Sequence, residues 1–266
     1  MALIEHDLFR GRIDRVQIAI DRLKMFEPEE GYYLAYSGGK DSDTILTLAK
    51  MAGVKFDAHY HLTTVDPPEL VYHVRRHPEV RIERPEMSMW QLIRKKGILP
   101  TRVTRYCCAY LKERGGSGRV VLTGVRSGES IKRSKRKMNE VCYTDPSKRF
   151  LHAIVDWGDK EVWQFIREYN VIYCKLYDQG STRLGCILCP LATQKERKKQ
   201  AKKYPKVVTA YRHAIKLAFY ARELAIVGTS RKQSTFKDGD DQFDCWISGR
   251  SVKEWAEKDT SFWAYE

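Results

Sequence analysis

The stretch YLAYSGGKDSDTILTLAK, residues 33–50, joins a short apolar run to a helical pattern through a loop of small and charged residues. The run at 32–36 is apolar and aromatic, which predicts a buried strand. Apolar side chains recur at helical spacing over 45–52, which predicts a helix that starts directly after the loop. A strand, a tight loop and a helix in this order are typical of α/β folds.

The loop itself, Ser37–Ser42, has the features of an anion-binding turn. Gly38 and Gly39 can take positive φ and let the backbone approach a ligand closely. The N–H groups and dipole of the following helix favour a negative charge, and Lys40 adds a positive one. A phosphate is therefore the expected occupant, and a Gly-Gly turn capped by a polar side chain is the plain structural alternative.

Strand and helix patterns alternate over much of the chain. Strands are predicted at 32–36, 56–62, 119–125 and 151–157, and helices at 7–26, 45–52, 66–77, 87–97 and 159–169. This alternation predicts an α/β fold with a doubly wound, mostly parallel sheet and with ligands at the carboxyl ends of its strands. We expect an N-terminal helix within 1–30, a nucleotide-binding domain over 31–190, and a helical, partly irregular extension over 191–266.

Composition limits the class of protein. The 266 residues, 42% of them hydrophobic, can bury a good core in one large α/β domain, or in one domain with a smaller appendage. No run approaches about 18 uninterrupted apolar residues, and Met1–Asp7 lacks an apolar signal-peptide core. We therefore expect a cytoplasmic protein with no membrane partner. The 48 Lys and Arg against 34 Asp and Glu give a net charge of +14, which favours polyanionic partners.

The hexapeptide Ser37–Ser42 matches neither the Walker nor the dinucleotide fingerprint, because its glycines are spaced differently. It matches S-G-G-x-D-S at every position, and so it resembles the PP-loop of the ATP pyrophosphatase superfamily. Members of that superfamily bind pyrophosphate on this loop and cleave ATP between the α and β phosphates. The resemblance implies that six residues bind the nucleotide: Ser37, Gly38, Gly39, Lys40, Asp41 and Ser42.

Further motifs narrow the resemblance. They are TTVDPPELV at 63–71, RYCCAYLK at 105–112, GVRSGES at 124–130, DWGDKEVWQFI at 156–166 and GCILCP at 185–190. Their order and spacing resemble the phosphoadenosine phosphosulfate (PAPS) reductase family, including its iron–sulfur and DNA phosphorothioation branches, over residues 30–205. In that family the arginine of G-x-R-x-x-E-S lies beside the nucleotide phosphates, which implies that role for Arg126, with Glu129 in the same motif. From the residues alone, Arg126 could instead simply pair with Glu129.

Four of the seven cysteines form two compact pairs, Cys107 with Cys108 and Cys186 with Cys189. Two thiol pairs can converge on tetrahedral zinc or on an iron–sulfur cluster, and an adjacent pair fits the usual zinc geometry poorly. The adenylylsulfate-reducing branch uses such a set to ligate a four-iron four-sulfur cluster, so the resemblance implies one here. The alternative is that the four are buried free cysteines. The remaining cysteines are expected only to pack: Cys142, Cys174 and Cys245.

Two departures from the reductases bear on the reaction. Those enzymes end in a segment with a catalytic cysteine near Gly and His, whereas residues 206–266 contain only Cys245. Reductases also tend to carry a degenerate loop, whereas this loop matches the hydrolytic pattern. Both departures predict ATP-dependent chemistry, in which AMP is transferred to a target oxygen and a sulfur nucleophile displaces it. The predicted catalytic residues are Lys40, Asp41 and Arg126, and Asp41 or a nearby carboxylate is expected to hold Mg²⁺.

Alternatives remain open for the substrate and the partners. A sulfonucleotide reductase would take PAPS or adenylylsulfate instead of ATP and release sulfite, and a non-catalytic module would only sense the nucleotide. A sulfur donor or a thioredoxin-like reductant is the expected protein partner. The basic runs at 132–137 and 195–206 can follow a nucleic-acid backbone, although charge runs are more often solvated faces.

Overall fold

The computed structural model describes residues 3–7, 11–227 and 234–262. The chain divides into two compact units. The first unit comprises Met1–Leu62, Pro67–Arg84 and Arg114–Gly185, and the second comprises Thr63–Asp66, Pro85–Glu113 and Cys186–Glu266. Parts of the predicted segments 1–30 and 191–266 lie outside the described residues.

A six-stranded sheet forms the centre of the first unit. The strands of this sheet and of an N-terminal hairpin are β1 Ile4–Asp7, β2 Gly11–Asp14, β3 Tyr32–Ala35, β4 Phe56–His61, β5 Val80–Glu83, β6 Val120–Leu122, β7 Asn139–Val141 and β8 Arg149–Leu151. The hairpin pairs β1 with β2, and the sheet has the order β5-β4-β3-β6-β8-β7. Its neighbouring strands are parallel except β7 and β8. The predicted α/β fold with a mostly parallel sheet is confirmed.

Helices flank this sheet and make up most of the second unit. They are α1 Arg15–Met25, α2 Lys40–Ala52, α3 Pro68–Val74, α4 Met89–Lys96, α5 Tyr106–Leu111, α6 Ile131–Ser134, α7 Asp159–Glu168, α8 Gln194–Lys203, α9 Pro205–Ile226, α10 Gly239–Ser248 and α11 Val252–Phe262. In the described part of the chain, no helix has the length and apolar character needed to cross a bilayer.

The strand–loop–helix segment at the centre of the first unit follows from its apolar pattern. Tyr32, Tyr33 and Leu34 of β3 are all buried, so both faces of this parallel strand are covered. On α2, Ile45 and Leu48 lie on the buried face, at the spacing of one helical stripe. The helix ends at Gly53, whose left-handed φ of 68° is a conformation that glycine adopts without strain.

The second unit has a separate apolar core, formed by side chains from α4, α5, α9, α10 and the turn after residue 185. Tyr211 of α9 lies in its centre, with the ring of Trp90 packed edge-on at 5.0 Å between centroids. Pro205 begins α9 at a position where its missing N–H costs little. The region beyond residue 190, predicted to be partly irregular, is helical over most of its described length.

Three local differences from the sequence predictions have physical reasons. The predicted helix at 7–26 is a hairpin followed by α1, because the side chain of Asp14 accepts hydrogen bonds from the N–H groups of Val16 and Gln17 and so caps the helix there. The strand predicted at 151–157 is wrong beyond Leu151, the last residue of β8, because hydrogen bonds from the Val155 N–H to the His152 carbonyl and from the Trp157 N–H to the Ile154 carbonyl fold the rest into turns. The compact units also group 85–113 with the C-terminal helices, whereas the sequence pattern groups these residues with 31–190; the predicted domain boundaries stay a prediction.

Candidate functional site

The loop Ser37–Gly39 lies at the carboxyl end of β3, in the middle of the sheet. β4 and β6 flank β3, so the strand order reverses direction at this point. In open α/β sheets such a reversal is where ligands bind. Gly38 has a φ of 71°, and a Cβ built on it would lie 2.6 Å from Cδ1 of Leu70. The turn therefore requires glycine at position 38 for both conformation and space.

Gly39 occupies the position before α2 and has a different role. Its φ is −91°, so the expectation that both glycines adopt positive φ holds only for Gly38. A Cβ on Gly39 would meet the Tyr177 hydroxyl at 3.4 Å, which is an ordinary contact. With no side chain to cap the helix, the Gly39 carbonyl accepts hydrogen bonds from the N–H groups of Ser42 and Asp43. Backbone conformation does not explain this glycine, whereas a close ligand would.

Two cations and two carboxylates meet beside the loop and form what we call the charge cluster: Lys40, Asp41, Arg126 and Asp159. Arg126 donates from Nε to Oδ1 of Asp41 at 2.7 Å and from Nη2 to Oδ1 of Asp159 at 3.1 Å. Lys40 Nζ lies 3.0 Å from Asp159 Oδ1 and 3.4 Å from Asp41 Oδ2. The side chains of Lys40 and Arg126 are buried, whereas that of Asp159 is 62% exposed. Asp159 is therefore the member of the cluster most accessible to solvent.

Arg126 is held by several contacts besides these. Its Nη1 donates to the Trp157 carbonyl at 3.5 Å, and its backbone N–H donates to Oε2 of Glu129 at 3.0 Å. Glu129 forms its ion pair with Arg133. The simple alternative, a side-chain pair of Arg126 with Glu129, is thus not the arrangement found. Glu129 fixes the backbone of the motif and leaves the guanidinium directed at the charge cluster.

The two carboxylates of the charge cluster differ in their ionisation. Burial raises the pKa of Asp41 and outweighs the opposing effects of Arg126 and Lys40. Partial burial also acts to raise the pKa of Asp159, but the hydrogen bond and charge of Lys40, together with the charge of Arg126, lower it overall. Asp159 is thus the more firmly ionised of the two.

Sequence reasoning missed three residues of this site. Asp159 lies in the motif DWGDKEVWQFI, and the available signal was an acidic residue directly after glycine at the start of a predicted helix, because a helix N-terminus favours carboxylates. Tyr177 accepts the Lys40 N–H at 3.0 Å through its hydroxyl, and no motif marked it. Gly124 is required because a Cβ there would lie 2.5 Å from the Asp41 carbonyl.

The four predicted metal-ligating cysteines come together in the second unit, and we call them the cysteine cluster. α5 carries Cys107 and Cys108, while Cys186 and Cys189 stand on one turn closed by a 3.3 Å hydrogen bond from the Cys189 N–H to the Cys186 carbonyl. A hydrogen bond with Cys108 raises the pKa of the Cys107 thiol, and burial and the charges of Cys186 and Cys189 add to the effect. The two pairs therefore lie within electrostatic reach of each other.

Cationic and polar side chains surround the cysteine cluster. Arg105 donates from Nη2 to Sγ of Cys108 at 3.4 Å, and Lys112 forms a hydrogen bond with Cys186. Cys186 in turn lies 3.5 Å from the hydroxyl of Thr63. Cationic and hydroxyl donors of this kind stabilise thiolates and the sulfurs of a bound cluster.

The turn of the second cysteine pair has an unusual backbone. Leu188 has a φ of 58°, which is rare for a bulky side chain. Its N–H donates to Oε1 of Gln200 at 2.8 Å, and the Ile187 N–H donates to the Val65 carbonyl at 2.8 Å. Ile187 and Leu188 are both fully buried. Packing and hydrogen bonds thus hold a strained turn whose effect is to present its two cysteines.

These features suit an iron–sulfur cluster. Four free thiols, an apolar lining and nearby cations are the donor set and environment that such clusters use. The remaining cysteines lie elsewhere: Cys174 and Cys245 are buried, and Cys142 is half-buried.

The two basic runs differ in how far their charges are paired. In the run 132–137, Arg133 pairs with Glu129 and Arg136 pairs with Glu140. The run 195–206 forms α8 and the start of α9, and Arg197 in it is buried against the Trp246 ring at 4.1 Å. Lys195, Lys198 and Lys202 are exposed at helical spacing on one face of α8.

Comparison with known proteins identifies the family. The family profile of the phosphoadenosine phosphosulfate reductase domain matches residues 31–192, more than half of the chain. The chain belongs to this family. Its recognised region contains the loop, the G-x-R-x-x-E-S motif and all four residues of the cysteine cluster.

Individual relatives within and near the family are distant. An adenosine 5'-phosphosulfate reductase of Allochromatium vinosum is 30% identical over 139 residues, 47% of this chain and 53% of that protein. An uncharacterized protein of Methanocaldococcus jannaschii is 28% identical over 191 residues, 65% of this chain and 39% of that protein. The chain thus spans well under two thirds of the length of these curated relatives.

A solved structure in the family has the same fold. The PAPS reductase of Candida auris, crystallised as a phosphate complex, superimposes with a TM-score of 0.51 at 19% identity. The match covers 63% of this chain and 87% of that one. At 19% identity the similarity shows only that the two chains share a fold.

Proposed function

We propose that this chain is a PP-loop enzyme that cleaves ATP between the α and β phosphates and uses the cleavage to drive sulfur transfer. The observation that carries the proposal is the charge cluster, in which two carboxylates share the loop with two buried cations. Carboxylates repel a bare polyphosphate, but they suit a nucleotide that arrives with Mg²⁺, which is commonly held by one or two carboxylates together with substrate phosphates. A triphosphate with its metal ion fits this composition better than a sulfonucleotide.

The residues of the charge cluster have separable roles in this reaction. A target hydroxyl oxygen attacks the α-phosphorus, the bond from that phosphorus to the α–β bridging oxygen breaks, and pyrophosphate leaves. Lys40 and Arg126 stabilise the charge that develops on the phosphate oxygens. Asp41 and Asp159 provide carboxylate oxygens for Mg²⁺. The product is a target whose oxygen carries AMP.

In the second half of the reaction a sulfur nucleophile replaces that oxygen. A hydrosulfide equivalent from a sulfur donor attacks the target carbon, the carbon–oxygen bond breaks, and AMP leaves. The overall conversion is R–OH + ATP + HS⁻ to R–SH, AMP and pyrophosphate. The cysteine cluster would hold a four-iron four-sulfur cluster through Cys107, Cys108, Cys186 and Cys189, which would supply electron-transfer chemistry.

A sulfonucleotide reductase is the second candidate. The relative from Allochromatium vinosum is named as an adenosine 5'-phosphosulfate reductase, and the cysteine pairs suit that branch. The C-terminal region argues against it, because its single cysteine, Cys245, is buried within α10 and lacks the exposure that attack on a sulfonucleotide needs.

One experiment separates the two candidates. The purified full chain is incubated with Mg²⁺ and ATP, and separately with adenylylsulfate or PAPS and a thiol reductant, while pyrophosphate and sulfite are measured. We expect pyrophosphate from ATP, its loss in Lys40→Ala, and its retention in Lys175→Ala, an exposed lysine of the first unit. Sulfite release from a sulfonucleotide without pyrophosphate release from ATP would establish the reductase instead.

Nucleic acid is the acceptor we propose. The face of α8 formed by Lys195, Lys198 and Lys202 is exposed, and the chain carries a net charge of +14. Such a row of lysines neutralises backbone phosphates and releases their counterions. If the acceptor is a polynucleotide, its addition should raise the rate of pyrophosphate release, whereas free nucleosides should not.

A further inference from the structure

Three side chains of types that can ligate a metal ion form a cluster at the first turn of α2, separate from the charge cluster and the cysteine cluster. Asp43, on the first turn of α2, has a fully buried carboxylate. Nε2 of His73 on α3 lies 3.0 Å from Oδ1 and 3.1 Å from Oδ2 of Asp43, and Nε2 of His77 lies 3.9 Å from Oδ1. One ligand atom from each residue lies within 4.8 Å of the others, and among the described residues only this group of three does so.

The charges in this cluster are not balanced by ordinary partners. Within the described part of the chain, the ion-pair partners of Asp43 are the two histidines, and no Lys or Arg lies within 4.0 Å of its carboxylate. A buried carboxylate without a cation is costly. Nε2 of His77 is also buried and has no hydrogen-bond partner there, although it points at Asp43. A cation placed between these three atoms would satisfy both the carboxylate and the free imidazole nitrogen.

We propose that Asp43, His73 and His77 bind a divalent transition-metal ion, and the donor set of two imidazoles and one carboxylate favours Zn²⁺. The Tyr36 hydroxyl is hydrogen-bonded to Asp43 and lies 3.3 Å from Nε2 of His73, so it adds a polar oxygen beside the three proposed ligands. These nitrogen and oxygen donors differ in kind from the thiols of the cysteine cluster.

The surroundings of His77 support this assignment. Its other ring nitrogen, Nδ1, lies 3.7 Å from Oε1 of Glu79, and Glu79 is paired with Lys50. A carboxylate behind a ligating histidine fixes the ring and strengthens its basicity, as in many zinc sites. At 3.7 Å the contact is electrostatic and is not a hydrogen bond, so Glu79 lies near the position of such a supporting group but does not bond the ring.

The ion would hold together the elements that shape the loop. Tyr36 immediately precedes the loop, Asp43 lies in the helix that follows it, and His73 stands on α3. Leu70, also on α3, is the side chain that leaves room only for glycine at position 38. A metal ion at this point would fix α3 against the first turn of α2 and so set the shape of the turn, without touching the nucleotide.

Cobalt binding tests the site, because the visible spectrum of bound Co²⁺ shows whether its ligands are thiolates or nitrogen and oxygen donors. The full chain carrying Cys186→Ser, which disables the cysteine cluster, is stripped with a chelator and titrated with Co²⁺. We expect about one ion per chain with visible d–d bands and without the thiolate-to-cobalt charge transfer of a sulfur site. His77→Gln in the same background should weaken binding at least tenfold, while His61→Gln, which removes a half-buried histidine bonded to Tyr33, should not.

Zinc-dependent stability gives a second measurement on the same proteins. Zn²⁺ bound to the folded state raises the melting temperature by mass action, so the parent and His61→Gln should show a zinc-dependent increase and His77→Gln should not. The proposal is overturned if the parent binds no Co²⁺, if its spectrum is that of a thiolate site, or if His77→Gln binds as tightly as the parent. Should His77→Gln fail to fold, the donor signature in the parent spectrum still decides. Pyrophosphate release is not used, so the outcome is independent of the proposed function.

Discussion

Arg126 and Asp41 are joined by a 2.7 Å hydrogen bond from guanidinium Nε to carboxylate Oδ1, although 85 positions separate them in the chain. The bond connects the loop after β6 to the first turn of α2, and the same guanidinium reaches Asp159 at the start of α7. One planar side chain thus orients three elements around the loop. The flexible ammonium group of a lysine cannot replace this guanidinium, because an ammonium group lacks the fixed fork of hydrogen-bond donors.

Arg126→Lys should therefore lower the affinity for adenine nucleotide by about tenfold or more, since hydrogen bonds to charged groups are each worth about 1.5–3 kcal/mol. Titration calorimetry with a non-hydrolysable ATP analogue measures the change. Arg133→Lys is the matched control, because Arg133 lies in the same region but pairs with Glu129 away from the charge cluster. Equal affinities for wild type and Arg126→Lys would remove Arg126 from the phosphate site.

The two glycines of the loop should respond differently to alanine. Gly38→Ala places a Cβ at positive φ and 2.6 Å from Leu70, so we expect a loss of about 2 kcal/mol in the free energy of unfolding. Gly39→Ala meets only an ordinary contact at 3.4 Å, so it should fold normally and yet bind nucleotide more weakly. Denaturant unfolding and nucleotide titration separate the two effects. Full nucleotide affinity in Gly39→Ala would mean that no ligand approaches this glycine closely.

Much of the first unit was predictable from its sequence because its signals are local. The strand β3, the loop and α2 follow from an apolar run, two glycines and a helical stripe, and all are found at the expected positions. The approach of Asp159 to Lys40 was not predictable in this way. This approach depends on the order of the strands in the sheet, because that order decides which helix N-terminus lies beside the loop. A single sequence does not reveal the strand order.

The second unit was harder to predict for a related reason. The cysteine pairs signalled a shared site, but no signal in the sequence showed that residues 85–113 pack with helices that come after residue 186. Their apolar pattern identifies a buried helix face without identifying its partner. The cluster of Asp43 and the two histidines was missed because Asp43 lies 30 positions before His73. The spacing of His73 and His77, four positions apart, was the available signal.

The cysteine cluster predicts a coloured protein. We expect the anaerobically purified chain to contain iron and acid-labile sulfide and to absorb broadly in the visible range, as iron–sulfur proteins do. Cys186→Ser should lose most of the iron, whereas Cys142→Ser, at a half-buried thiol of the first unit, should keep it. A preparation with zinc bound to these thiols and without iron would contradict the assignment.

The charge cluster predicts a pH dependence of stability. The folded state lowers the pKa of Asp159, so its ion pairs stabilise the protein above the pKa of an unfolded aspartate and cease to do so as the pH falls through the lowered value. Because Asp159 is largely exposed, Asp159→Asn should cost only about 1 kcal/mol or less near neutral pH. In urea unfolding the difference between wild type and variant should vanish on acidification.

A matched substitution tests whether this effect belongs to the charge cluster. Asp21→Asn removes an exposed carboxylate of α1 that is hydrogen-bonded to Gln17. It should change stability equally little at neutral and acidic pH. If Asp159→Asn behaves in the same way, Asp159 does not stabilise the folded state through Lys40 and Arg126.

The exposed face of α8 predicts how polynucleotide binding depends on salt. Each backbone phosphate neutralised by a lysine should contribute about 0.7 to 0.9 to the slope of log affinity against log salt. Replacing Lys195, Lys198 and Lys202 by glutamine should therefore reduce that slope by about 2 to 3, because three such contacts are lost. Fluorescence anisotropy with a labelled oligonucleotide over a range of salt concentrations measures the slope.

The control for α8 must change net charge by the same amount. Replacing Lys24, Lys55 and Lys175, three exposed lysines of the first unit, removes the same three charges elsewhere. If α8 contacts the backbone, this control should keep the slope near the wild-type value, because screening confines the effect of distant charges. Equal slopes for the two triple variants would mean that only overall charge attracts the polynucleotide. Undetectable or salt-independent binding by the wild type would exclude nucleic acid as the acceptor and favour a small-molecule substrate.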